Sequence, residues 1–250
     1  SILLDLMTAA AIDTAHIVHS EHRPTVAKTR ILSGHQQMMR LDQESGRPFA
    51  ADENVLLTEA INAELALKPA LVILSDYSKG LLSADICQLI ISQCNATGIP
   101  TLVDPKGHDY SKYQHATALT PNKKETAEAC LTTQHDPELI DKATRLKNNL
   151  NLKFLVVTRG EEGISLIDDH AHLLPATAKQ VFDVSGAGDT VIATLAAGLI
   201  NHLSTLESLQ LANVAAGVVV GKVGTVPISR DELIEALTSE QTSEQAHKVC

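Results

Sequence analysis

Four short apolar stretches along the middle of the chain each run out into a polar turn: LVILSDYSKG, TLVDPKG, ATALTPNKKE and FLVVTRG. Amphipathic segments of helical length stand around them, among them ENVLLTEAINAELAL, SADICQLIISQCNATG and residues 136–150. A strand that rejoins its sheet by way of a helix returns parallel, with a right-handed crossover. The alternation therefore predicts an α/β fold, a mostly parallel sheet with helices on both faces. Such sheets bind ligands beyond the carboxyl ends of their strands. Here those ends carry Gly or Pro together with charge.

The rest of the chain is placed around this body. Residues 1–15 and 43–238 are assigned to it, starting with a helix from Ile2 to Ala10 that gathers Ile2, Leu3, Leu6 and Met7 on one side. Residues 16–42 switch to β-branched residues, short alternations and turn signals at Arg23-Pro24 and Ser33-Gly34. They read as a small lid of two or three exposed antiparallel strands. EEGISLIDDHAHLLPA reads as a hairpin, followed by helices at 189–201, 205–221 and 230–238. Gly98 is placed to close the helix before it, and the polar tail 239–250 is expected to fray.

Composition narrows the function. Aromatic residues make up 2% of a chain that is 44% hydrophobic, so the core is aliphatic and single-stranded nucleic acid has little to stack on. A net charge of -10 opposes binding to a phosphate backbone, while leaving room for a local basic pocket. No apolar run reaches membrane-spanning length. The cysteines form no C-x-x-C pair, and Cys87 and Cys94, on one face of an apolar helix, read as buried thiols. A reducing cytoplasm is the expected compartment. His16, His19 and His22 have no carboxylate at ligand spacing and read as exposed lid residues, not a zinc site.

Chemistry concentrates in DVSGAGD, residues 183–189, directly before a long apolar helix. Gly186, Ala187 and Gly188 let a ligand approach the backbone. The free N–H groups of the first helical turn make an anion site there. Asp189 would repel a phosphate, so two readings stand on spacing alone: a helix cap, or a base for a hydroxyl attacking that phosphate. Neither a Walker A loop nor a G-x-G-x-x-G fingerprint occurs.

DVSGAGD resembles the signature of the ribokinase-like, or phosphofructokinase B-type, carbohydrate kinases. The resemblance extends to TPNKKE as an N-x-x-E element, to VVTRG at the nucleotide loop and to ANVAAGVVVGKVGT on the adenine side. LSGHQQMMRLD, LSDYSKG, DPKGHDYSKY and DVSGAGDTVIATLAAGL are similar to the branch acting on D-glycero-D-manno-heptose 7-phosphate. The resemblance implies ATP-dependent transfer to the anomeric hydroxyl, giving the 1,7-bisphosphate for lipopolysaccharide core synthesis. Asp189 would be the base, and the backbone of Gly186, Ala187 and Gly188 would hold the transferring phosphoryl group. Asn122, Lys123, Lys124, Glu125, Thr158 and Gly160 would line ATP, with Glu125 acting on Mg²⁺ through water. From the residues alone, Asn122 and Glu125 read first as a helix cap and its capping-box partner, a role compatible with the other. Arg40, Lys79 and Lys106 are the candidates for the sugar phosphate. The resemblance also admits a monovalent cation and implies a homodimer joined through the lid.

One departure stands out. The family's opening strand, with a sugar-contacting Asp and a Gly-Gly pair, has no counterpart in these 250 residues. The expectation is therefore that the first strands of the sheet and part of the sugar pocket are missing, and no H-x-G-H nucleotidyltransferase motif occurs. A kinase of another sugar phosphate, or an inactive nucleotide-binding or dimerisation remnant, are the alternatives.

Overall fold

The computed structural model describes residues 2–247 except 34, 35, 46, 48, 136 and 179, and side chains as far as 239 except those of 32, 36 and 37. The Ser33-Gly34 turn and Cys250 lie outside the described residues. A six-stranded sheet forms the centre, in the order β3 (Val72–Ser75), β4 (Thr101–Asp104), β5 (Ala118–Leu119), β6 (Phe154–Thr158), β7 (Ile164–Ile167) and β8 (Ala171–Leu174). The first four are parallel, and β6, β7 and β8 pair antiparallel. This is the α/β architecture expected from the alternation.

Side-chain alternation divides the core between the two faces. Val103, Leu119, Leu155 and Val157 pack with Ile86, Cys87, Ile90, Ile91 and Cys94 of α3 (Ala84–Thr97). Their neighbours Leu102, Ala118, Phe154 and Val156 pack with α6 (Ala187–Ile200) and α7 (Thr205–Val220), through Val191, Leu195 and Leu209. Burial raises the Cys87 thiol to about 11, so it is an inert core side chain. Gly98 ends α3 at φ 74. Gly163 enters β7 at φ 87, where a Cβ would run into the Leu174 carbonyl, so only glycine fits that turn.

The lid has two strands, β1 (Ala27–Ser33) and β2 (Gln36–Gln43), paired antiparallel, within the two or three expected. Other elements differ in extent from the sequence reading. Residues 16–26 carry no strand and instead run beside α2 (Ala51–Ala66). Local bonds hold them: His16 Nδ1 lies 2.6 Å from Glu64, and the Ser20 hydroxyl binds Glu53 while accepting the Arg23 N–H at 3.0 Å. α1 (Ile2–Ala9) buries none of its residues, and Ile2, Leu3 and Leu6 are exposed. α5 (Leu139–Asn149) starts after the expected residue 136. α8 (Arg230–His247) continues through the expected frayed tail, because SEQTSEQ contains neither Gly nor Pro to stop it.

Candidate active site

The carboxyl ends of β3, β4, β5 and β6 bring the polar exits together. Gly186 is the N-cap of α6, at φ 81, without a side-chain cap. A Cβ there would lie 3.0 Å from Thr225 Cγ2, so the left-handed backbone favours glycine and a side chain would also crowd Thr225. The Ala187 N–H donates to the Val184 carbonyl at 3.2 Å. The N–H groups of Gly188 and Asp189 meet no protein acceptor among the described residues. A Cβ at Gly188 would meet nothing within 4 Å. The helix thus opens toward free space with two backbone N–H groups unpartnered, the arrangement an anion occupies.

Asp189 is not the cap. It stands in the first turn, three residues after the cap, exposed, and its Oδ1 accepts the Tyr77 hydroxyl at 3.3 Å. Burial and the nearby Asp189 carboxylate push the Tyr77 phenol above its ordinary value. Asp183 anchors the turn by accepting the Ser185 N–H at 2.9 Å. Its carboxyl lies below the usual range because of bonds to Ser185 and Gly224 and the nearby Arg30 guanidinium.

Across the pocket, Asn122 caps α4 (Lys123–Ala129), accepting the Glu125 N–H at 2.9 Å while Glu125 accepts the Asn122 N–H at 3.0 Å. This completes a capping box. The other Glu125 oxygen takes Lys106 Nζ. Lys106, read from sequence as a sugar-phosphate contact, is thus ion-paired in this state. So are the other two candidates: Lys79 with Glu44 at 2.7 Å and Arg40 with Asp42 at 2.9 Å. Lys123 binds Glu162, which also holds Arg159 at 3.1 Å, whereas Lys124 is exposed, 3.8 Å from Glu128. Thr158 ends β6 beside Asn122, and Gly160 follows at φ 61. A cleft of about 700 Å³ opens along α7, lined by Thr177, Phe182, Val214, Gly217 and Gly221.

Sequence reasoning missed three groups. Asp104 lies at the end of β4, where burial, Glu125 and Asp189 raise its carboxyl to about 7. It stands beside Lys106 in DPKG, and that exit was the available signal. Asp76, at the end of β3, is buried and bonded to Lys112 and Tyr113. Arg30 sits opposite Arg40 in the lid register and near enough to Asp183 to act on its carboxyl. Cross-strand partners share a face, so this basic face carries Lys28, Arg30, Arg40 and Asp42. The other face carries Thr29, Ile31, Met39 and Leu41.

Comparison with known proteins is consistent with this geometry. The chain is 59% identical to the bifunctional protein HldE of Methylobacillus flagellatus, over 99% of this chain and 51% of that protein. It is 45% identical to HldE of Magnetococcus marinus, over 99% and 52%. The chain therefore spans about half the length of these curated relatives. Among solved structures, phosphofructokinase-2 from Escherichia coli in complex with potassium matches with a TM-score of 0.79 at 19% identity, covering 95% of this chain and 77% of that one. Arabidopsis thaliana ribokinase complexed with ribose and ATP gives 0.67 at 21%, over 88% and 73%. The model for pfkB family carbohydrate kinases matches residues 1–232, and the chain belongs to that family.

Proposed function

We propose that the chain carries the kinase step on a heptose 7-phosphate, moving the γ-phosphoryl group of ATP to the anomeric hydroxyl to give the 1,7-bisphosphate. The observation that carries this reading is the pairing of a carboxylate with an open helix end. Asp189 stands in the same turn as two unpartnered N–H groups, below a glycine with free space above it. Phosphoryl transfer needs little covalent help from the protein beyond positioning and charge stabilisation. Asp189 takes the proton of the attacking hydroxyl while the N–H groups of Gly188 and Asp189 receive the charge that builds on the phosphoryl oxygens. The heptose assignment rests on LSDYSKG, DPKGHDYSKY and TPNKKE, whose residues meet at the strand ends.

ATP is assigned to Asn122–Glu125 and Thr158–Gly160, which adjoin at the ends of β5 and β6. Among the described residues, no group of three or more acidic, His or Cys side chains could cage a metal. Mg²⁺ keeps much of its water and arrives on phosphates. Glu125, with both oxygens engaged, would reach it through water, and the ion would neutralise phosphate charge. The family resemblance also admits a monovalent cation.

The lid's basic face, with Arg30 near Asp183, suits the substrate's own phosphate. Its opposite face leaves Ile31, Met39 and Leu41 exposed, which supports a homodimer joined through the lids. No helix among the described residues is long and apolar enough to cross a membrane. Turnover of ATP with heptose 7-phosphate, compared with other sugar phosphates, tests the assignment. Faster turnover of another sugar phosphate would reassign the substrate, and ATP binding without turnover on any would leave a binding module.

A further inference from the structure

Asp76 has a side chain only 3% exposed, yet it accepts three bonds at once. Lys112 Nζ, the Tyr113 hydroxyl and the Ser78 N–H each lie 2.6 Å away. The backbone N–H of Asp76 donates to the Asp104 carbonyl at 3.0 Å. Tyr113 is fully buried, and its hydroxyl also accepts the Lys106 N–H at 3.3 Å. Lys112 extends the network to the Leu82 carbonyl at 3.1 Å. One buried carboxylate therefore ties both ends of the loop 76–82 to the DPKG turn. From that loop, Tyr77 reaches Asp189.

We propose that Asp76 is a positioning residue: through Tyr113 and Lys112 it fixes the loop 76–82 so that the Tyr77 hydroxyl occupies Oδ1 of Asp189, leaving Oδ2 to face the acceptor hydroxyl. The proposal rests on Asp189 being the base of a kinase. A buried ion pair by itself is weak evidence for stability, and this one is satisfied on every side by groups belonging to site loops. The tether does not touch substrate; it acts on the geometry of the group that does. Misplacing a reacting group by about 1 Å costs on the order of 10²-fold in rate.

The chain has three tyrosines and no tryptophan, which makes the test spectroscopic. Tyr110 and Tyr113 are pushed far up by burial, so Tyr77 is the phenol that ionises first. Its rise comes from burial, then Asp189, with Asp104 adding and Ser75 opposing. Phenolate absorbance against pH, with Tyr77→Phe to assign the step, reads whether the phenol is held on Asp189. In Tyr113→Phe, which keeps the ring in the core, the Tyr77 step is expected to fall toward about 10. Under the same change kcat should drop by about tenfold, no further than on removing the Tyr77 hydroxyl itself, with KM for ATP unchanged. Lys112→Met is the second variant, should the first not fold. A lower melting temperature with the Tyr77 step unmoved would mean that the network only stabilises the core, and the proposal fails. It fails equally if the step falls while kcat stays at the wild-type level. If the wild-type chain turns over no sugar phosphate, the kinase reading fails, and the phenol titration still decides whether Asp76 positions Tyr77.

Discussion

The Tyr77 hydroxyl donates to Oδ1 of Asp189 at 3.3 Å, joining the exit of β3 to the first turn of α6 across 112 residues of sequence. A hydrogen bond to a charged group is worth about 1.5–3 kcal/mol, and this one is long. Tyr77→Phe is expected to lower kcat about tenfold, at the low end of that range, leaving KM for ATP unchanged. Steady-state kinetics with each substrate varied in turn read the split. An effect confined to ATP would place Tyr77 on the nucleotide side instead.

Gly188 faces open space, where a Cβ meets no protein atom within 4 Å. Alanine is preferred to glycine within a helix by about 1 kcal/mol. Gly188→Ala should therefore keep or raise the melting temperature while turnover falls, because the methyl group enters the volume assigned to the phosphoryl group. A variant as active as wild type would remove the phosphoryl group from that position.

Asn122 closes the capping box with Glu125. Asn122→Ala should cost about 1 kcal/mol of stability in urea unfolding. The same change should raise KM for ATP if the turn also lines the nucleotide. Lost stability with KM unaltered would leave Asn122 as a cap alone.

Asp104 supplies a pH dependence. Its carboxyl is raised from 3.8 to about 7 by burial and by Glu125 and Asp189, so between those values the folded chain binds the extra proton. Its contribution to stability is full below the unfolded value and is lost as pH rises through about 7. Asp104→Asn removes this titration. The variant should match wild type near pH 4, gain on it as the pH rises and level off above 7. Urea midpoints of both proteins across that range check it, and a gap independent of pH would contradict the environment assigned to Asp104.

The parts of this fold that follow from local pattern were legible in the sequence. Residues 154–157 alternate between the two cores as a buried strand must, and Gly98 and Asn122 end and begin their helices where their chemistry requires. The glycine turn before Asp189 announced an anion site, but spacing alone left that Asp as cap or base. The fold removes the first option by making Gly186 the cap. What escaped was long-range. Lys106 lies in the turn after β4 and Glu125 in α4, and the Asp76 tether joins residues 36 and 37 positions apart. Periodicity carries no record of such pairs. The apolar side of α1 is plain in sequence, yet it is exposed, because a hydrophobic stripe names a face without naming what covers it.

The most direct measurement is of Asp189→Asn. The amide keeps the size and the Tyr77 contact of the carboxylate but cannot take a proton. Removing a general base costs about 10²–10⁴-fold, so turnover of ATP with heptose 7-phosphate should fall by that factor while calorimetric affinity for ATP stays at the wild-type value. Turnover within twofold of wild type would contradict the assignment of Asp189 as the base.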